Sequence, residues 1–228
     1  MTSDAFAETG VRHFPQAVLL VETARIVAQA DLWLDSRPGR RLRPEDWLDV
    51  LPSVRRTMTQ IAKNLIGEGA RPVRVLLFDK TPQTNWSVAW HQDRVVAVQA
   101  RAEVPGFGPW SVKDGVPHVE PPVAVLDAMV TLRLHLDDCA ADNAPLKIAD
   151  GSHRLRLVPA DRAAAVAEAL TVTICEARAG DIWASSALIV HASERSQAGG
   201  HRRVLHVDFA AADLPSPLRW LDYARNKE

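Results

Sequence analysis

The sequence predicts a mainly β protein with helices at its N-terminal end, its strands forming a sandwich or barrel. Two observations carry this. From residue 71 onward, about nine short β-branched or apolar runs recur at regular spacing between turn residues. Before residue 71, apolar residues recur at helical spacing instead.

Taken in order, residues 16–34 (QAVLLVETARIVAQADLWL) form the first helical pattern, and Arg37-Pro38-Gly39 ends it. Pro44 opens a second helix, EDWLDVLPSVRRTMTQIAKNLI, with Glu45 and Asp46 in its electropositive first turn. Pro52 is expected to interrupt that helix, and Gly67 and Gly69 to end it. Strands are expected at 73–78 (VRVLLF), 86–90 (WSVAW), 95–100 (VVAVQA), 130–136 (VTLRLHL) and 146–149 (LKIA). They continue at 171–175 (TVTIC), 181–186 (DIWASS), 188–192 (LIVHA) and 203–209 (RVLHVDF), with one helix at 160–170. Segment 104–122, rich in proline and glycine, shows no period and reads as a lid or binding loop. No domain boundary follows residue 71. The expectation is one domain, 1–228, with a helical support at 1–70 and a β core at 71–210.

Composition narrows the function. The chain has 228 residues and a formal net charge of -1, which does not suit bulk nucleic-acid binding. No apolar run has membrane-spanning length, and residues 1–10 lack the basic and apolar regions of a signal peptide. Cys139 and Cys175 have no CxxC spacing and read as free thiols, so a reducing, cytoplasmic location is expected.

No GxGxxG, Walker A, GxSxG or HExxH motif is present. The informative motif is Trp90-His91-Gln92-Asp93 at a strand end. Residues two apart on a strand share a face, so His91 and Asp93 can bind one metal ion; a surface His and Asp beside a turn would fit the same pattern. His191 lies among apolar residues in LIVHAS, where it is either a satisfied core histidine or a third ligand. Residues 192–201 read as a hairpin loop. If that hairpin is symmetric about the 196/197 bond, His191 faces Arg202 across the ladder. Arg202 then points toward a metal and Arg203 away from it. Two histidines and a carboxylate with open coordination positions form the facial triad of non-haem Fe(II) oxygenases. A guanidinium beside them can hold the carboxylate of a 2-oxo acid bidentately.

Four segments in order resemble the phytanoyl-CoA dioxygenase family: WHQD at 90–93, DDCAADNAPLKIADGSH at 137–153, AGDIWASSALIVHAS at 179–193 and GGHRRVLHVDF at 199–209. The resemblance spans roughly 73–209 and implies a double-stranded β-helix, the cupin-like jelly-roll. It implies Fe(II) at His91, Asp93 and His191, and 2-oxoglutarate as cosubstrate. Arg202 would bind the distal carboxylate of 2-oxoglutarate, helped by Ser193. Ala144 and Asp150 stand where the family has Gly and Pro, and no opening G-(Y/F) strand is visible.

Other polar residues are candidates. Thr131, Arg133 and His135 alternate with Leu132, Leu134 and Leu136. Either the polar set faces the metal cavity, where Arg133 and Thr131 would bind cosubstrate, or the leucines face inward and the polar set meets solvent. Lys80 reads as a surface lysine. In the 104–122 loop, Phe107, Trp110 and His118 are candidate substrate contacts, or else a cluster that pins the loop. His206 shares the alternation of Arg202 and would support the site from behind.

The expected activity is hydroxylation of a small molecule by dioxygen, with 2-oxoglutarate converted to succinate and CO2. Asp93 supplies the carboxylate that related halogenases lack, which favours hydroxylation. An isomerase or hydrolase using the same triad, or a jelly-roll binding protein with a decayed site, is the competing reading; Arg202 discriminates against the first and the intact triad against the second.

Overall fold

The computed structural model describes residues 4–223. Its front carries α1 (Asp4–Thr9), β1 (Val11–Phe14), α2 (Leu20–Leu34), β2 (Gly39–Leu42), α3 (Pro44–Asp49) and α4 (Pro52–Ile66). Then follow β3 (Arg71–Lys80), β4 (Val88–His91), β5 (Val96–Ala97), β6 (Trp110–Lys113), β7 (Val116–Val119), α5 (Val123–Asp127) and β8 (Met129–His135). The remainder is β9 (Leu146–Ala149), α6 (Ala163–Glu168), β10 (Val172–Cys175), β11 (Ile182–Ser186), β12 (His191–Ser193) and β13 (Arg202–Ala210). Residues 1–3, part of the stretch read for a signal peptide, and 224–228 lie outside the described residues.

Two antiparallel sheets face each other as a jelly-roll. The larger has the order β1-β11-β8-β13-β3-β2 and the smaller β10-β9-β12-β4; a third, β5-β7-β6, sits beside them. The helices cover the outer face of the larger sheet. Ile26, Ala30 and Trp33 of α2 and Val54, Met58 and Ile61 of α4 pack with Val75, Leu77, Leu132, Leu134, Leu205 and Val207. Each such buried aliphatic side chain contributes about 1.5–3 kcal/mol.

That cover decides the alternation on β8. All seven of its residues are buried. The leucines face the helices, and Thr131, Arg133 and His135 face the smaller sheet. Neither set meets solvent, because the helical layer buries the outer face as well.

Pro52 splits the second helical pattern as expected, with Val50 and Leu51 extended between α3 and α4. Residues 16–19 do not join α2. Gln16 is left-handed, at φ 48°, and its N–H donates to Asp181 Oδ1 at 2.8 Å. Asp181 also accepts from the Arg178 N–H and is bonded to His13, so this carboxylate ties the helix entry to the turn before β11. Gly180 within that turn is required: a Cβ there would lie 2.4 Å from Val18 O.

Three expectations are corrected. The front of the chain is not only helical. β1 and β2 form the two edges of the larger sheet, β1 on β11 and β2 on β3, and β1 is an opening strand the sequence did not reveal. Runs this short become strands because a neighbouring edge offers unpaired backbone groups. Segment 104–122 is not irregular throughout. It contains the β6–β7 hairpin, closed by Asp114-Gly115, both with positive φ. Asp-Gly between alternating residues is a strong two-residue hairpin signal that was present in the sequence.

Finally, 192–201 is not a hairpin. His191 pairs with His91 and Ile148 in the smaller sheet, whereas Arg202 pairs with Lys80 in the larger one. The connection crosses between sheets. Ala144, where the family has Gly, adopts a left-handed φ of 49°.

Candidate metal centre and anion pocket

The two sheets enclose a cavity lined by His91, Asp93 and His191 together with Arg74, Arg133, Arg202 and His206. One nitrogen from each histidine and an oxygen of Asp93 all lie within 4.8 Å of one another. β4 and β12 set this up, because His91 and His191 are opposed across their ladder, with ring centroids 4.3 Å apart. His91 Nδ1 is 2.8 Å from Ala89 O and His191 Nδ1 is 3.0 Å from Ile189 O. A carbonyl only accepts, so both Nδ1 atoms carry the hydrogen and both Nε2 lone pairs are free for a metal. Burial pushes His191 down to about 4, which keeps it neutral at pH 7. Gln92, between the two N-terminal candidates, donates to Arg156 O and Leu188 O and accepts from the Val158 N–H, which pins the strand end.

Behind the triad lies an ionic network that sequence reading missed. Burial alone would raise Asp93, but Arg74 and His191 outweigh it and hold the carboxyl at about 2. Arg74 Nη2 is 3.4 Å from Asp93, and its Nε donates to Asp208. Asp208 also accepts from Thr131 Oγ1 at 2.8 Å and from His206 Nε2 at 2.9 Å. Arg133 Nη1 donates to His206 Nδ1 at 3.0 Å, so the His206 hydrogen sits on Nε2. The alternation of β13 pointed to His206 and, two residues on, could have pointed to Asp208. Nothing local marked Arg74.

Deeper in, charge is unbalanced. Arg202 is buried, with no hydrogen-bond partner for Nε or Nη1, and Arg133 Nε is likewise unpartnered. Lys80 is 0% exposed, not a surface lysine. Its Nζ donates to Ser193 Oγ at 3.0 Å and Glu194 O at 2.6 Å. Burial, with Arg202 and Arg133 nearby, pushes Lys80 down to about 7. Two arginines and a lysine, none of them in an ion pair among the described residues, form a site for an anion. Arg203 points the other way, onto Asp137 and Asp31. The sequence therefore placed Arg202 inward and Arg203 outward correctly, although the ladder used to argue it does not exist.

Thr131 does not line the cavity; its hydroxyl is committed to Asp208. Phe107 and Trp110 do not line it either. They pack against the cluster of Val96, Val119, Leu214 and Trp220. His118 is also outside the lining. It is fully buried, with Nδ1 donating to Val116 O at 2.9 Å and Nε2 unpartnered.

A jelly-roll that gathers two histidines and an aspartate at one point, above unpaired cations, defines an iron- and 2-oxoglutarate-dependent enzyme. The chain belongs to the phytanoyl-CoA dioxygenase family, whose profile matches residues 20–204. No curated protein matches the sequence. Among solved structures, the chain is similar to AviO1 from Streptomyces viridochromogenes Tue57, at 21% identity and TM-score 0.65, covering 94% of this chain and 96% of that one. It is also similar to the epimerase SnoN in complex with Fe3+, α-ketoglutarate and nogalamycin RO, at 16% identity and TM-score 0.69, covering 98% and 86%. A third is the non-haem α-ketoglutarate-dependent carbocyclase SnoK from nogalamycin biosynthesis, at 18% identity and TM-score 0.67, covering 93% and 85%. Identities this low speak for the fold. Among the described residues no helix is long and apolar enough to cross a membrane.

Proposed function

We propose that the protein hydroxylates a small molecule, with Fe(II) held by His91, Asp93 and His191 and 2-oxoglutarate as cosubstrate. The buried guanidinium of Arg202 beside the triad, with Nε and Nη1 left without a hydrogen-bond partner, is the observation that carries this reading. A hydrolase or isomerase working through the metal alone has no use for it. The donor set fits a facial iron site: two neutral imidazoles with free Nε2 atoms and one ionised carboxylate. Bound there, iron would supply dioxygen activation coupled to decarboxylation of the 2-oxo acid to succinate and CO2.

The chain's own residues position and shield. The carbonyls of Ala89 and Ile189 fix the two rings, and Arg74 fixes Asp93 in its charged form. Arg202 and Arg133 take the distal carboxylate of the cosubstrate, and Lys80 holds Ser193 in place against it. Leu76, Phe78, Trp86 and Val88 form an apolar wall that limits water at the metal.

Hydroxylation is favoured over epimerisation by what surrounds the site. Epimerisation must return a hydrogen atom to the substrate, which a phenol or thiol supplies. The chain has one tyrosine, Tyr223, whose hydroxyl donates to Leu42 O, and neither cysteine lines the cavity. In this reading residues 1–228 work as one unit in the reducing cytoplasm, with 1–70 supporting a catalytic core at 71–210 and both cysteines free.

The test is anaerobic addition of Fe(II) and then 2-oxoglutarate. A visible metal-to-ligand charge-transfer band, followed by succinate release on admitting dioxygen, is expected. Absence of both overturns the assignment.

A further inference from the structure

Arg202 has to be carried across the gap between the two sheets, and the segment that carries it is weakly built. Residues 194–201 belong to no strand, and Gly199-Gly200 stand just before His201 and Arg202. A glycine pair leaves the backbone many conformations, so the segment does not by itself fix how Arg202 enters β13. The fixing comes from side chains outside it.

Asn143 is the centre of that support. Its own backbone is held, with its N–H donating to Ala140 O at 2.9 Å and its carbonyl accepting from Cys139 Sγ at 3.3 Å. The buried side-chain amide then reaches two points of the crossing segment. Oδ1 accepts from Ser196 Oγ at 2.7 Å. Nδ2 donates to His201 O at 3.3 Å and to Asp138 O at 3.0 Å. Ser196 alone is buried within 194–201. Asn85 clamps it from the other side, donating from Nδ2 to Ser196 O at 2.6 Å and accepting the Ser196 N–H at 2.9 Å.

The bond to His201 O bears directly on Arg202. The carbonyl of His201 and the N–H of Arg202 belong to one planar peptide, so orienting one orients the other. The β3 ladder fixes β13 from Arg202 onward, and Asn143 fixes the chain just before it. The neighbouring cations do not depend on such a clamp. Arg133 lies inside β8 and is bonded to His206, and Lys80 lies at the end of β3 and is bonded to Ser193 and Glu194. Arg202 begins its strand, with Nε and Nη1 open.

We propose that Asn143 is a positioning residue for the cosubstrate: by holding Ser196 and the His201 carbonyl it fixes the entry of β13, and so the place where Arg202 meets the distal carboxylate. This deepens the oxygenase reading and rests on it for the identity of that carboxylate. Asn143 touches neither metal nor cosubstrate; it acts through Arg202.

The test compares two metal-binding acids on protein loaded with Ni(II), which is redox-inert. 2-Oxoglutarate has a distal carboxylate; oxalate chelates a metal through two oxygens and has none. Both are titrated by calorimetry into the wild type, Asn143→Ala, Ser196→Ala, Arg202→Ala and the double variant Asn143→Ala/Arg202→Ala. Asn143→Ala is expected to weaken 2-oxoglutarate about five- to tenfold and oxalate by less than about twofold. Ser196→Ala removes one hydroxyl and should weaken 2-oxoglutarate about threefold, which carries the comparison if Asn143→Ala does not fold. In the Arg202→Ala background the Asn143 substitution should add less than about twofold. Equal losses for both acids, an unchanged 2-oxoglutarate affinity, or a full further loss in the Arg202→Ala background overturns the proposal. If 2-oxoglutarate does not bind the wild type, the oxygenase reading falls, and the proposal with it.

Discussion

His191 and Arg202 stand on opposite sheets of the sandwich and face one cavity. The segment 194–201 carries the chain across, and Arg202 enters β13 with the parity that points it inward. Arg203, one residue on, binds Asp137 and Asp31 outside. Arg202→Ala should therefore weaken 2-oxoglutarate binding by about 2–4 kcal/mol, on the order of 30-fold or more. Arg203→Ala should leave that affinity alone and lower stability by about 1–3 kcal/mol. Titration of 2-oxoglutarate alongside urea denaturation separates the two. An affinity loss in Arg203→Ala alone would reverse the assignment.

The triad should behave as three ligands of one ion. His91→Ala, Asp93→Ala and His191→Ala are each expected to abolish succinate formation and to lower bound iron, with far-ultraviolet circular dichroism unchanged. Metal analysis and a succinate assay check this. A variant that keeps full iron and full turnover is not a ligand variant.

Arg74 and Asp208 form a buried ion pair that also carries Asp93. Asp208→Ala leaves Arg74 charged, buried and short of its main partner, at a cost of about 3–5 kcal/mol. Thr131→Val removes one hydrogen bond to Asp208 and should cost about 1 kcal/mol. Equal effects of the two, measured by urea midpoints, would mean that the network does not matter electrostatically.

Acid should weaken the fold through buried histidines. Burial depresses His118 to about 4 and His135 well below its ordinary value. Between pH 6.5 and 4 the unfolded chain binds protons at these positions and the folded chain does not, so stability falls as pH falls. Both histidines therefore favour the fold most above pH 6.5. His118→Gln should flatten this slope, most visibly between pH 6.5 and 4. An unchanged slope in that window would show that His118 is protonated in the native state.

Trp110 packs against the cluster around Val119 and Trp220 and under Arg101, away from the metal cavity. Trp110→Ala should cost about 2 kcal/mol, less than full aromatic deletion because the ring is only half-buried. 2-Oxoglutarate affinity should not change. Altered coupling of succinate to product in this variant would restore the lid reading of the loop.

Part of the site was legible in the sequence. The HxD pair was legible as a motif, although β4 ends at His91 and Asp93 lies just beyond it, and Arg202 was placed inward through a hairpin that the fold does not contain. The Asp-Gly turn that builds the β6–β7 hairpin was legible too, but it was masked by the prolines around it. Arg74 carried no local signal, since a lone arginine in a strand reads the same whether it meets water or a buried carboxylate.

The sequence by itself determined the period of each element and hence which residues share a face: Arg202 with His206, Thr131 with Arg133 and His135. Those follow from backbone geometry within a single segment. Only the tertiary structure decided what each face meets. The helices covered the leucine side of β8 and β13, which buried both faces and turned the polar set into the wall of a cavity. It also placed β12 and β13 on different sheets and drew β1 and β2 to the sheet edges. Lys80 reads as a surface residue in sequence and is fully buried in the fold, because burial is set by what packs above a side chain. Pairing partners and covering layers depend on segments more than a hundred residues apart, and no periodicity within a segment encodes them.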